Sequence, residues 1–192
     1  NNRIQKFDLN GNYLAKWGQS GTGDGQFDGP WGVAVGPDGA VYVTEQSWAY
    51  ARVQKFDPEG NFISKWGEDG SGDGQFSWPA GIAVDRNGFV YVADSGNNRI
   101  QKFDGNGAFI TRWGSYGAED GQFNDPQGIA VGPDGSIYVA EGYGNRVQRF
   151  DPDGAFITKW GQAGFADGSF KWPMAVAVDR EGSVYVADTE NG

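Results

Sequence analysis

Cysteine and histidine are both absent from the 192 residues. The first absence excludes disulfides, thiolate metal sites and thiol nucleophiles. The second removes the commonest zinc ligand, the base of a serine triad and the easiest proton shuttle at neutral pH. Basic residues are scarce as well: 15 Lys and Arg against 25 Asp and Glu leave a net charge of −10, which repels a phosphate backbone and argues against nucleic acid as a partner. No apolar run approaches the roughly 18 to 20 residues of a membrane-spanning helix, and no signal peptide is visible. What the chain has in quantity is glycine, 33 residues, and aromatic side chains, 8 Trp, 8 Tyr and 13 Phe. So many rings exclude a disordered or collagen-like chain, and the glycines are assigned to turns.

The sequence repeats itself. Trp17, Trp66, Trp113 and Trp160, each followed by Gly, are spaced 49, 47 and 47 residues apart, and the Arg-x-Gln-x-Phe element starting at Arg3, Arg52, Arg99 and Arg146 keeps the same intervals. So does the Val/Ile-Tyr-Val element at Tyr42, Tyr91, Tyr138 and Tyr185. Each unit reads as four short strands, for example "GVAV", "VYV", "RVQKF" and "NFISKW", joined by turns such as "GPDG" and "DPEG". Glycine supplies the positive φ of those turns, and the Asp or Asn side chains bond the local backbone. Strings such as Asp151-Pro152-Asp153-Gly154 lack the rest of a twelve-residue calcium loop and its closing Glu, so they are read as hairpin turns.

A four-stranded antiparallel unit repeated at this spacing predicts an all-β chain, a β-propeller of four blades in a single domain over residues 1–192. The blades are expected at 31–66 (A), 80–113 (B) and 127–160 (C), with a split blade D formed by 174–192 together with 1–17. The string "AVAVDREGSVYVAD" supplies the first two strands of blade D and "NNRIQKFDLNGNYLAKW" the last two. Joining them keeps the repeat in register, with Arg3 following Arg146 by 49 residues around the ring. Closure within one chain is the expectation; the alternatives are a homodimer forming an eight-bladed ring, if four blades do not close alone, and a segment of a longer protein.

The motif "PxGIAVxxxGxVYVAD…NNRIQKFDxxGxFIxKWGxxGxGDGQF" resembles the NHL repeat. The Asp-Gly-Gln-Phe element (Asp24 to Phe27, Asp73 to Phe76, Asp120 to Phe123) recurs in order with the Trp-Gly and Arg-x-Gln-x-Phe elements, and departs only as Asp167-Gly168-Ser169-Phe170. The resemblance implies a propeller. It also implies that the RNA-binding mode of such domains, which needs a basic face, and the metal-dependent chemistry of enzymatic propellers, which relies on His, are both foreign to this chain.

Two sets of residues are singled out. The carboxylates Glu45, Asp94, Glu141 and Asp188 end each second strand and precede Arg52, Arg99, Arg146 and, across the join, Arg3. They are read as structural charge pairs rather than a cation site, because buried charges are paired. The second set departs from the repeat: Trp31, Trp48, Tyr50, Trp78, Tyr143, Trp172 and Met174 fall in loops that alternating strand direction brings to one end of the propeller. Aromatics concentrated there suit sugar rings or peptides. The expected function is a non-enzymatic binding or scaffold module for a protein, peptide or glycan, with no cofactor, metal or catalytic residue. The alternatives are an assembly module joining chains through the split blade or outer strands, and a carboxylate-dependent hydrolase or lyase. An acidic chain rich in Asn-Gly and Asp-Gly turns suits a cell surface or secretion.

Overall fold

The computed structural model describes residues 1–47 and 50–191. Among them are sixteen strands and one short 3₁₀ turn, Ser95–Asn97. Three four-stranded antiparallel sheets follow one another. The first holds β3 (Pro30–Val35), β4 (Val41–Glu45), β5 (Arg52–Phe56) and β6 (Phe62–Trp66), paired in that order. The second holds β7 (Pro79–Val84), β8 (Val90–Asp94), β9 (Arg99–Phe103) and β10 (Phe109–Trp113), and the third β11 (Pro126–Val131), β12 (Ile137–Glu141), β13 (Arg146–Phe150) and β14 (Phe156–Trp160). Flanking them are two two-stranded sheets, β1 (Ile4–Phe7) with β2 (Tyr13–Trp17), and β15 (Pro173–Val178) with β16 (Val184–Asp188).

Local chemistry writes the hairpins. Asp57 Oδ1 accepts from the backbone N–H groups of Glu59 at 3.0 Å and Asn61 at 2.8 Å, while Gly60 takes φ +89°, and the other turns of this type repeat the arrangement. The carboxylate of Asp151 is likewise spent on its own turn, on the N–H groups of Asp153 and Ala155.

The first strands β3, β7, β11 and β15 pack side by side, and the fourth strands β6 and β10 alternate half-buried and exposed positions as an outer rim does. Between sheets lies the core. Trp66 and Phe109 pack with buried Tyr42, Val53, Phe76, Val92 and Phe103 at one seam, and Trp113 with Tyr91, Ile100, Phe123, Ile137 and Phe150 at the next. The glycine at each seam is obligatory: a Cβ on Gly107 would come 2.5 Å from the Trp66 ring, and one on Gly154 2.5 Å from Trp113.

Buried polar clusters tie each complete blade together. Arg99 Nε donates to Asp94 Oδ2 at 2.6 Å, its other nitrogens reach the carbonyls of Ser71, Gly72 and Gln75, and Gln101 Nε2 bridges Gln75 O and Asp94. Arg52 with Glu45 and Gln54, and Arg146 with Glu141 and Gln148, repeat it. Burial pushes Asp94 and Glu141 up from the ordinary carboxylate range, against the pull of their hydrogen bonds and arginines.

The expected single-chain closure is not formed. β1–β2 and β15–β16 remain separate sheets, so blade D does not exist within this chain and the expected pair of Asp188 with Arg3 is not made. Each half-blade packs on the neighbouring complete sheet, Ile4 and Trp17 against Phe56, and Val176 and Val186 against Tyr138 and Val147. Val33, whose counterparts Ile82, Ile129 and Val176 are buried, is 56% exposed, and Tyr185, counterpart of buried Tyr42, Tyr91 and Tyr138, is 58% exposed.

Candidate functional site

The loops entering the first strands converge with the loops leaving the second strands on one cleft of about 730 Å³. Its walls include Trp31, Trp78, Tyr143, Trp172 and Met174, five of the seven loop residues expected from the sequence. Tyr50 is exposed but does not line it, and Trp48 lies outside the described residues.

Backbone strain marks the cleft. Gly29, Trp78, Asp125 and Trp172 are the same position in successive repeats, and all four are left-handed, with φ of 67°, 51°, 63° and 59°. Glycine adopts this conformation freely, whereas an L side chain pays about 1–2 kcal/mol for it. Asparagines from the preceding unit brace the strained residues: Asn98 Oδ1 accepts from Asp125 N and Asn145 Oδ1 from Trp172 N, both at 3.0 Å. The Trp172 ring lies 4.6 Å from that of Tyr143, centroid to centroid, with the planes tilted by 49°. On the far side of this pair, a second hollow of about 460 Å³ is lined by Phe165, Lys171 and Glu190, and Lys171 Nζ sits 5.5 Å from the Phe165 ring centroid.

The cleft floor is polar. Asp125 Oδ1 accepts from Ser95 Oγ at 2.6 Å and from Gln127 Nε2 at 2.7 Å, while the buried Gln127 Oε1 has no protein partner. Such an atom is costly without a hydrogen bond. Gln46, Asn98, Asn124 and Tyr116 complete the polar and aromatic lining. Sequence reading missed Ser95, Asp125, Gln127 and Tyr116. Asp125 stands where other repeats have Gly29, Trp78 and Trp172, and Gln127 where they have Trp31, Ala80 and Met174, so the departure from the repeat that marks the tryptophans marks these too.

The carboxylates Glu45, Asp94 and Glu141 lie instead in the buried blade clusters. Among the described residues, no group of three or more Asp or Glu side chains is placed to hold a metal ion.

Successive four-stranded antiparallel sheets, with matching strands side by side and a loop cleft at one end, define a repeat protein of the β-propeller class. The NHL repeat model matches residues 27–56, 76–103 and 123–150, and the chain belongs to the NHL-repeat family. No curated protein matches the sequence. Among solved structures, a streptogramin B lyase aligns with a TM-score of 0.67 and 19% identity over 99% of this chain and 54% of its own. A catalytically inactive virginiamycin B lyase from Staphylococcus aureus with quinupristin gives 0.66 and 18% over 98% and 54%. A functionally unknown protein from Desulfotomaculum acetoxidans DSM 771 gives 0.63 and 21% over 92% and 52%. At these identities the likeness is one of fold, and the chain spans about half the length of each.

Proposed function

We propose that this chain is a non-enzymatic binding module that takes a glycan, a peptide or a protein segment into the aromatic cleft. The carrying observation is the left-handed backbone of Trp78 and Trp172, where the first repeat has Gly29. Bulky residues persist in that conformation only where the surroundings impose it, and such strain concentrates at ligand sites. Both indoles line the cleft, together with the polar side chains of Asn98, Asp125 and Gln127. Ring faces stack on the C–H faces of sugars or on peptide side chains, and Asp125, Gln127 and Asn98 supply hydrogen bonds.

An enzyme like the lyases of the same fold is the less favoured reading. Asp125 is the carboxylate of this cleft, and Ser95 and Gln127 already donate to it. The chain has no histidine to serve as the usual acid or base.

Trp78→Gly separates function from stability, because glycine relieves the backbone at φ 51° while deleting the ring. Binding is measured on glycan and peptide arrays and by tryptophan fluorescence. The expected result is a ligand whose affinity falls at least tenfold in Trp78→Gly and in Gln127→Ala, with the melting temperature of Trp78→Gly unchanged or higher. Arrays without a hit, or a hit indifferent to both changes, would overturn the reading.

A further inference from the structure

The aromatic cleft does not end at Tyr143. A smaller hollow of about 400 Å³ opens beside it, against Ala118, Gly144 and Arg146, and Tyr116, Asn124 and Tyr143 line both. A ligand can therefore extend from one into the other along two tyrosines and an asparagine. The fold does not require these rings. Tyr116 bridges to Phe123, and Ser20, Asp69 and Ala163 make the same bridge in the other units without an aromatic side chain. Tyr143 stands where the second unit has Gly96 and the fourth Glu190. Tyr116 is 72% exposed and Tyr143 59%, so neither ring is spent on the core, and both offer surface for stacking.

The polar groups beside the rings are amides. Among the described residues the Asn124 side chain makes no hydrogen bond, and Asn98 uses only its Oδ1, on the N–H of Asp125. An amide donates and accepts at once, which matches a sugar hydroxyl. The main chain is already paired: the N–H groups of Gly96, Gly142 and Gly144 go to the carbonyls of Ser77, Asp125 and Asn124, so these loops give an extended peptide no ladder to join. Charge narrows the class further. Among the described residues no lysine lines either hollow. The one arginine, Arg146, has its Nε on Glu141 and its other nitrogens on the carbonyls of Ala118, Glu119 and Gln122. With Asp125 on the floor and a net charge of −10 on the chain, uronates, sulfates and phosphates are repelled.

We propose that the cleft and the hollow beside it hold a neutral oligosaccharide, with Tyr116 and Tyr143 stacking on its sugar rings and Asn124 bonding its hydroxyls. This assignment rests on the reading of the cleft as a binding site, and adds to it the class of the ligand and its length. A short sugar occupies the cleft, and a longer one also reaches the Tyr116 ring.

Isothermal titration calorimetry tests it with cello-, manno-, xylo- and malto-oligosaccharides of increasing length, alongside polygalacturonate and a random-peptide array. One neutral series is expected to bind, with an affinity that climbs with chain length and is the same at low and high salt, because an uncharged ligand is not screened. Tyr116→Ala is expected to leave the shortest bound member unaffected and to weaken the longer ones roughly tenfold, the effect of losing one stacked ring. Tyr116→Phe keeps the ring and should bind as the unaltered chain does. Asn124→Ala should weaken every member of the series. Melting temperatures of the Tyr116 variants should not move, since that side chain is mostly exposed. Binding of peptides or of polygalacturonate with the neutral sugars silent would overturn this inference and leave the binding-module reading standing. An affinity that ignores chain length, or ignores Tyr116→Ala, would overturn it as well, and silence in every arm would overturn both.

Discussion

Arg99 Nε and Asp94 Oδ2 lie 2.6 Å apart with both side chains buried, whereas Lys65 Nζ and Asp24 Oδ1 lie equally close with both exposed. The distance is the same and the energetic weight is not. Arg99→Ala strands a carboxylate that burial already disfavours, and costs about 3–5 kcal/mol in a urea unfolding titration. Lys65→Ala in the same titration costs less than about 1 kcal/mol, because water screens the exposed pair.

Gly154 and Gly88 share a left-handed backbone, with φ of 92° and 84°, but only Gly154 lies under an indole. Gly88→Ala therefore pays only the conformational cost of about 1–2 kcal/mol. Gly154→Ala must also push Trp113 out of the seam, which adds roughly 1–3 kcal/mol of overpacking. Thermal unfolding of the two variants side by side checks the difference, and equal melting temperatures would mean that the seam yields freely.

Acid resistance follows from the turns. The Asn12 side chain holds Asp8 below its ordinary pKa of 3.8, the Asn61 side chain does the same for Asp57, the Ser136 N–H for Asp134, and the Ser183 N–H for Asp179. A carboxylate with a depressed pKa stabilises the fold above 3.8 and loses that contribution as pH falls through its lower folded value. Asp94 and Glu141 are shifted the other way, so protonating them does not add to acid unfolding. The melting temperature should hold on acidification until pH drops below 3.8, and an Asp8→Ala, Asp57→Ala double variant should show a shallower fall there. A steep loss at higher pH would locate the acid-sensitive groups elsewhere.

The repeats and hairpins, and the charge clusters of the three complete blades, were legible in the sequence because each is local or recurs at a fixed offset. Asp57 reaches Asn61 across four residues, and Arg99 meets Asp94 across one loop. The cleft was legible in part. Trp31, Trp78, Tyr143, Trp172 and Met174 stood out as departures from the repeat; Asp125 and Gln127 depart from it too, but only packing joins them with Ser95, which comes from a different blade.

By itself the sequence determined the strand, the turn and the blade, since one arginine, one glutamine and one phenylalanine recur at set positions of a period-two strand. It did not determine whether β1 and β16 meet within one chain, because that contact would join opposite ends of the sequence and no local offset fixes it. Only the tertiary structure shows β1–β2 and β15–β16 as two separate sheets, with no Arg3–Asp188 ion pair among the described residues.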